Sequence, residues 1–192
     1  MASEIELKLR LSPARIRKLR EHPLLAGTST RKRRLFSTYY DTPDGVLRRR
    51  GFGLRLRRDD AGAWLMAVKG KPLSPGCLAQ RREWEGGTRE GAFDFALIDD
   101  AKVRAFFQSH QSRLRPVFTT DFTREVWLVH YAGACIEIVL DRGRISTLDA
   151  SGALTSANEA ICELELELKQ GDDVPSLFDL AIELAASVHL HP

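Results

Sequence analysis

Residues 163–169 read Glu-Leu-Glu-Leu-Glu-Leu-Lys, and residues 4–8 read Glu-Ile-Glu-Leu-Lys. In an extended strand, side chains two positions apart lie on the same face. Each stretch therefore places its carboxylates and its lysine on one face and its aliphatic side chains on the other. Two carboxylate rows that face one enclosed space would repel each other. Such a space needs positive charge between the rows, most simply a divalent cation with oxygen ligands.

The alternation by itself has a second explanation. An ordinary half-buried strand with a solvated outer face shows the same pattern. However, the strands between the two acidic stretches carry the opposite charge in the same manner, as in Leu54-Arg55-Leu56-Arg57. Acidic and basic faces with similar aliphatic backs favour a barrel with a polar interior.

The composition is that of an ordinary globular domain. The chain has 192 residues, of which 43% are hydrophobic and 29% charged, and this length can bury a sizeable core. We expect one domain over residues 1–192. The formal net charge is only +3, yet residues 31–58 are densely basic and residues 143–192 lean acidic. This asymmetry favours an anionic partner that engages one part of the molecule.

The sequence lacks the usual signals for export, membrane insertion and zinc binding. No apolar run approaches the length of a membrane span, and Glu4 precedes any apolar stretch, so we expect a cytoplasmic protein without a membrane partner. The three cysteines have no CxxC spacing and are interpreted as reduced structural residues. The histidines show neither metal spacing nor a nucleophile nearby, and we interpret them as structural or surface residues.

Strand patterns predominate along the chain. Besides residues 4–8, alternation and turn residues predict strands over 31–40, 52–58, 64–69, 79–85, 118–131, 135–141, 144–148 and 161–169. Helices are predicted after Ser12-Pro13, over about 93–107 with Asp99 or Asp100 as the N-cap, and after Pro175. Eight or more antiparallel strands with charged faces turned toward each other predict a mainly β fold, a closed or nearly closed barrel with helices packed outside, because closure removes the sheet edges.

Motifs in a fixed order carry a family resemblance. They are Glu4-x-Glu6-x-Lys8, Tyr40-Asp41-Thr42-Pro43, Arg55-Leu56-Arg57, Val68-Lys69, Gln80-Arg81-x-Glu83, Thr120-Asp121-Phe122-Thr123-Arg124, Glu137 with Asp141, and Cys162-Glu163-Leu164-Glu165-Leu166-Glu167. A lone ExExK would be a weak signal. The ordered set resembles the CYTH superfamily, also called triphosphate tunnel metalloenzymes, along the whole chain. Within it, the chain looks most like the bacterial inorganic triphosphatases.

The resemblance implies an eight-stranded tunnel whose acidic residues hold Mg²⁺ or Mn²⁺ and whose basic residues hold a triphosphate. The implied metal ligands are Glu4, Glu6, Glu163 and Glu165. The implied substrate-binding residues are Lys8, Arg55, Arg57, Lys69, Arg81 and Arg124. The candidates for a catalytic role are Lys8, Glu137 and Asp141. The chemistry agrees, because a polyanion needs several guanidinium and ammonium groups together with hard cations that bridge its oxygens.

Several orientations stay open at this point. Alternation turns Arg81 inward and Arg82 outward, unless a bulge shifts the register. Arg33 and Arg34 lie on opposite faces of their strand, and the sequence does not choose between them. Residues 48–50 are three consecutive arginines, which are typical of a solvated basic turn. Arg142 and Arg144 flank Gly143 and are compatible with a turn.

Three functions remain open. The first is metal-dependent hydrolysis of inorganic triphosphate to pyrophosphate and phosphate. The second is an enzyme for organic triphosphates, either a thiamine triphosphatase or a class IV adenylyl cyclase. The third is a non-catalytic polyphosphate-binding module. Nucleic acid is disfavoured as a partner, because rows of carboxylates repel its phosphates. Since the chain ends just past a predicted helix, it is also compatible with a following CHAD domain, which often accompanies the triphosphatases that it resembles.

Overall fold

The computed structural model describes residues 2–28, 30–72, 76–149, 151–170 and 173–191, with backbone only at 2 and 3. Its strands are β1 (Ala2–Leu11), β2 (Arg31–Asp41), β3 (Gly53–Asp59), β4 (Trp64–Lys69), β5 (Leu78–Gly87), β6 (Arg115–Tyr131), β7 (Ala134–Leu148), β8 (Leu154–Gln170) and β9 (Leu190–His191). Its helices are α1 (Ile16–Arg20), α2 (Val46–Arg49), α3 (Ala101–His110) and α4 (Val174–Ala185). Short 3-10 turns occupy Pro13–Arg15, Phe95–Leu97 and Gln111–Arg113.

The strands close into the predicted barrel. Neighbouring strands follow the order β5-β4-β3-β2-β6-β7-β8-β1, and β1 pairs in turn with β5. Each of these pairings is antiparallel. The short β9 pairs only with the end of β1, at Arg10 and Leu11. The eight-stranded antiparallel barrel is therefore confirmed.

Strand β1 joins the two ends of the sheet. Its first half pairs with β5, so that Glu4 lies opposite Arg81. Its second half pairs with β8, so that Lys8 lies opposite Glu165. Because β1 bridges both neighbours, the acidic stretches at the two ends of the sequence become adjacent in space.

The hydrophobic cores lie outside the barrel rather than within it. One core packs the outer faces of β1, β6, β7 and β8, such as Leu7 and Leu166, against α1 and α4. The other packs β3, β4 and β5, including Leu56 and Met66, against the segment around α3. These helical segments pack against the aliphatic sides of the alternating strands. The charged side is therefore left to face the interior, which we call the lumen.

The helices differ in part from the sequence prediction. Asp100 caps α3 by accepting hydrogen bonds from the backbone N–H groups of Lys102 and Val103. Asp99 instead accepts from Trp84 Nε1. The predicted start of this helix near residue 93 was therefore wrong, because the helix begins only at Ala101. In the described part of the chain, no helix is both long and apolar enough to cross a membrane.

Strands β7 and β8 are longer than predicted. Strand β7 runs without interruption through Gly143, and β8 begins at Leu154. A Cβ atom at Gly143 would overlap the carbonyl oxygen of Asp121 and the backbone of Phe122. This glycine thus permits the close approach of β6 and β7. The turn suggested for Arg142 and Arg144 was wrong, since both lie within β7 with exposed side chains.

Candidate active site

A cavity of about 700 Å³ fills the lumen, a size within the range of roughly 300–1,000 Å³ typical of small-ligand sites. Its acidic lining residues are Glu4, Glu6, Glu83, Glu85, Glu137, Asp141, Glu163, Glu165 and Glu167. Its basic lining residues are Lys8, Arg48, Arg55, Arg57, Lys69, Arg81, Arg124 and Lys169. Every residue that the sequence predicted as a metal ligand, substrate contact or catalytic group is among them. Opposite charges line the lumen in nearly equal number.

The two acidic rows meet at β1 and β8. Lys8 Nζ lies 2.8 Å from Glu165 Oε1 and 3.2 Å from Glu163 Oε2. Burial and the nearby charge of Glu165 raise the pKa of Glu6 above its ordinary value. The rows therefore face each other closely enough to repel, as their alternation predicted.

A second set of ion pairs joins β1 to β4 and β5. Lys69 Nζ donates to Glu4 Oε1 at 2.7 Å, and Arg81 Nε donates to Glu4 Oε2 at 3.0 Å. Arg81 also donates to Glu6. Burial opposes ionisation of Glu4, but the charges of Lys69 and Arg81 outweigh it and lower the pKa of this carboxyl. Glu4 is therefore an anion held between two cations.

Arg124 bridges three strands. Its guanidinium donates to both carboxylate oxygens of Asp141, at 2.8 and 2.6 Å, and to Glu165 Oε2 at 3.0 Å. Burial disfavours its charged form, but these carboxylates outweigh the effect and hold the pKa of Arg124 above its ordinary value. Bidentate pairing of this kind is both strong and directional.

Arg57 differs from the ion-paired cations of the lumen. It is only 7% exposed, and its Nε donates to Ser37 Oγ at 3.1 Å. No carboxylate in the described ranges forms an ion pair with it. Burial, reinforced by the charges of Arg55 and Arg124, lowers the pKa of Arg57 to about 10. Arg57 is therefore a buried cation without an anionic partner.

Two further buried polar atoms lack partners. Within the part of the chain that the structure describes, Arg55 Nε and Thr120 Oγ are the buried side-chain nitrogen and oxygen atoms that make no hydrogen bond. Both residues line the lumen. Because an unpaired buried polar group is unfavourable, these atoms add to the unmet hydrogen-bonding capacity around Arg57.

The structure settles the orientations that the sequence left open. Arg81 lines the lumen, whereas Arg82 lies outside and pairs with Asp100 at 2.8 Å, as alternation predicted. Neither Arg33 nor Arg34 lines the cavity. Arg34 pairs with Asp121 on the outer surface at 3.0 Å.

Arg48 is a lumen residue that the sequence did not select. The Asp41 carboxylate accepts hydrogen bonds from the backbone N–H groups of Leu47 and Arg48, which anchors α2 beside the barrel. Arg48 then lines the cavity, while Arg49 pairs with Asp44 at the surface. The motif Tyr40-Asp41-Thr42-Pro43 was the available signal for this segment, because its carboxylate anchors the helix that carries Arg48.

Glu83 should make the stability of the barrel depend on pH when no ligand is added. Burial, with the charges of Glu4 and Glu85, raises its pKa to about 7 despite Lys69 and Arg55 nearby. As pH rises from 4.5 to about 7, the unfolded chain releases this proton while the folded chain retains it. The contribution of Glu83 to stability therefore falls over this range.

We predict that Glu83→Gln raises the free energy of unfolding more at pH 8 than at pH 5, by about 1 kcal/mol or more. Urea unfolding at the two pH values measures the effect. Glu21→Gln, which removes an exposed carboxylate, is the control and should be nearly neutral at both. A larger stabilisation at pH 5 than at pH 8 would contradict the raised pKa of Glu83.

The carboxylates have the right chemistry for a hard cation. Clustered glutamate oxygens suit Mg²⁺ or Mn²⁺. Among the residues described, no group of three or more His, Cys, Asp or Glu side chains is arranged to hold a metal ion. Instead, Glu4, Glu6 and Glu165 are paired with lysine or arginine. The carboxylate oxygens are suitable ligands for a divalent cation. In this structure their negative charge is balanced by lysine and arginine side chains of the lumen.

The fold and site define a class of protein: an antiparallel tunnel with aliphatic faces outside and ion-paired acidic and basic walls inside. The sequence model of the CYTH domain matches residues 2–190. The chain therefore belongs to the CYTH domain family.

Comparisons with individual proteins agree with this assignment. The chain is 34% identical over 190 residues to an inorganic triphosphatase of Haemophilus influenzae, covering 93% of this chain and 48% of that protein. The chain thus spans about half the length of this curated relative. Its fold resembles that of HpAC1 from Hippeastrum, with a TM-score of 0.63 and 16% identity over 98% of this chain and 90% of that one. The fold also resembles that of the PH1819 protein of Pyrococcus horikoshii, with a TM-score of 0.58 and 19% identity over 95% of this chain and 89% of that one.

Proposed function

We propose that this domain is a metal-dependent hydrolase that cleaves inorganic triphosphate to pyrophosphate and phosphate. The observation that carries the proposal is Arg57, a buried lumen cation that pairs with no carboxylate in the described part of the chain. Because a buried charge is unfavourable unless it is paired, this position calls for an anion from outside the chain. The identity to an inorganic triphosphatase supports the same substrate.

The charge balance of the lumen supports a proposal in which a polyanion binds together with a cation. Lys69, Arg81 and Arg124 are held by carboxylates in this structure. A triphosphate would take over these basic groups as partners and leave the carboxylates free. The freed carboxylates would then bind a cation, so the two ligands replace the internal ion pairs without leaving buried charge unpaired.

The acidic residues divide into two proposed roles. Glu4, Glu6, Glu163 and Glu165 would hold Mg²⁺ or Mn²⁺, which when bound supplies charge neutralisation at the phosphates. Glu137 and Asp141 lie on β7, four positions apart and therefore on one face. There they would orient the attacking water for in-line displacement.

Lys8 is proposed as a substrate contact. Burial opposes its charge, but Glu165 and Glu163 outweigh burial and hold the pKa of Lys8 above its ordinary value. Lys8 is therefore a cation at neutral pH. This favours electrostatic contact with a phosphate oxygen over proton transfer as its role.

Organic triphosphates are the second candidate, because one part of the lumen is aromatic. Tyr39 lines the cavity and stacks on Phe118 with ring centroids 4.3 Å apart and an interplanar angle of 12°. An organic group attached to a triphosphate would find apolar surface there. The solved structure of HpAC1 is described as an adenylyl cyclase candidate with a dominant triphosphatase activity, which makes both substrate types worth testing.

The cellular setting is proposed from the thiols. Cys77, Cys135 and Cys162 are all free in the structure. Reduced cysteines are typical of the cytoplasm. We therefore propose a cytoplasmic triphosphatase.

We predict that phosphate release is fastest with tripolyphosphate when Mg²⁺ or Mn²⁺ is present, and is lost with a chelator. The measurement is a panel of tripolyphosphate, ATP, thiamine triphosphate and pyrophosphate with each metal. Faster turnover of thiamine triphosphate, or conversion of ATP to cyclic AMP, would favour the organic-substrate alternative. Tripolyphosphate binding without phosphate release under any metal would favour a non-catalytic binding module.

A further inference from the structure

We propose that Phe122 is a positioning residue that sets the placement of Arg57 relative to Arg124 for triphosphate binding. This inference rests on the proposed function. The Phe122 ring lines the lumen and is only 6% exposed. Its centroid lies 5.7 Å from the guanidinium carbon of Arg57 and 5.7 Å from that of Arg124. One aromatic ring therefore contacts two cations.

The Phe122 ring offsets the repulsion between two neighbouring cations. Arg57 and Arg124 carry like charges inside a buried space, where repulsion between them is strong. An aromatic face attracts a cation through its quadrupole. A ring that contacts both guanidinium groups favours their approach to one region of the lumen, which an aliphatic side chain of similar size would not do.

The two arginines depend on the ring to different degrees. Arg124 is anchored by both oxygens of Asp141 and by Glu165. Arg57 has one side-chain hydrogen bond, to Ser37, and its contact with Phe122. Phe122 is therefore the group that links the position of Arg57 to the rigidly held Arg124. Removing the ring should disturb Arg57 more than Arg124.

The barrel wall holds Phe122 in place. Phe122 lies opposite Gly143 of β7 and opposite Leu35 of β2 in the strand register. No Cβ would fit at Gly143, because β7 lies directly against the backbone of Phe122. The close approach of β6 and β7 therefore fixes the base of the side chain from which the ring extends. The glycine in the middle of β7 thus contributes to the placement of both arginines.

The test is a double-mutant cycle read by equilibrium binding. Tripolyphosphate is titrated calorimetrically, in chelator to prevent turnover, into the wild type, Phe122→Leu, Arg57→Ala and the double variant. We expect Phe122→Leu to raise Kd about tenfold, by loss of alignment at a charge-assisted contact. In the Arg57→Ala background the same change should raise Kd less than about threefold, because the guanidinium group that the ring positions is absent. Phe122→Tyr, which keeps the ring, should stay within about threefold of the wild type.

Phe95→Leu is the matched control for packing. Phe95 is buried in the core outside β3–β5 and does not line the lumen. This variant should lower the melting temperature but leave Kd unchanged. If Phe122→Leu fails to fold, Phe122→Met, which fills a similar volume without a ring, replaces it in the cycle.

Two results would overturn the inference. One is wild-type affinity in Phe122→Leu. The other is a double variant whose Kd is raised by the product of the factors measured in the two single variants, which would mean that Phe122 and Arg57 act independently. A wild-type protein that binds tripolyphosphate neither in chelator nor with Mg²⁺ or Mn²⁺ present would instead contradict the proposed function.

Discussion

Glu165→Gln should lower triphosphate hydrolysis about 1,000-fold while the barrel stays folded. Glutamine nearly preserves the shape of the side chain but removes a negative oxygen ligand from the proposed metal site, and such charge stabilisation is worth several kcal/mol at about 1.4 kcal/mol per tenfold in rate. The fold should tolerate the change, because Lys8 keeps Glu163 and Arg124 keeps Asp141 as partners. Phosphate release and thermal unfolding together measure the outcome.

Glu125→Gln is the matched control. Like Glu165, Glu125 is a carboxylate with two cationic partners, Arg20 at 2.7 Å and Lys32 at 3.6 Å. It is buried but lies outside the lumen. Its loss should change stability without a comparable loss of turnover. Near-normal activity of Glu165→Gln at modest metal concentration would show that the acidic rows do not form the metal site.

Arg57→Ala should weaken tripolyphosphate binding by roughly tenfold to 100-fold without lowering the stability of the ligand-free protein. A charge-assisted hydrogen bond contributes about 1.5–3 kcal/mol, which accounts for the loss of affinity. Stability should be preserved because the variant removes a buried cation that has no carboxylate partner and lies near Arg55 and Arg124. Calorimetric titration and urea unfolding measure the two effects separately.

The neighbouring residue provides the control for Arg57. Arg58 follows on the same strand, but its side chain is exposed and absent from the cavity lining. Arg58→Ala should leave affinity nearly unchanged, as should Arg49→Ala, which removes a surface pair with Asp44. Equal and small losses of tripolyphosphate affinity in all three variants would indicate attraction by the overall positive charge of the surface in place of a lumen site.

Strand alternation predicted which charged side chains of β1, β5 and β8 face the lumen. Because the side-chain period of a strand is two, the inward faces of β1, β5 and β8 followed from sequence wherever no bulge intervened. The opposite orientations of Arg81 and Arg82 are an example. Alternation also predicted closure, since inward charged faces with aliphatic backs leave the cores to the helices outside.

Pairing among the lumen charges could not be predicted in the same way. Arg57 and Arg124 both sit at inward positions of charged strands, yet one lacks a carboxylate partner and the other has two. Asp141 lies directly opposite Arg124 across the β6–β7 hairpin, whereas Glu165 comes from β8. The pairing of Arg124 with Glu165 depends on the strand order and register of the closed barrel, which no local pattern encodes.

The sequence by itself determined the alternating faces, the barrel class and most of the charged residues of the lumen, because these depend on local periodicity. Tertiary structure alone decided which arginine of residues 48–50 turns inward and which buried cation has no carboxylate partner among the described residues. It also decided the role of Gly143, which local sequence suggests is a turn and which in the barrel permits close contact with Phe122. These features depend on contacts between distant strands, where the available space and the nearest charge are set by the whole fold.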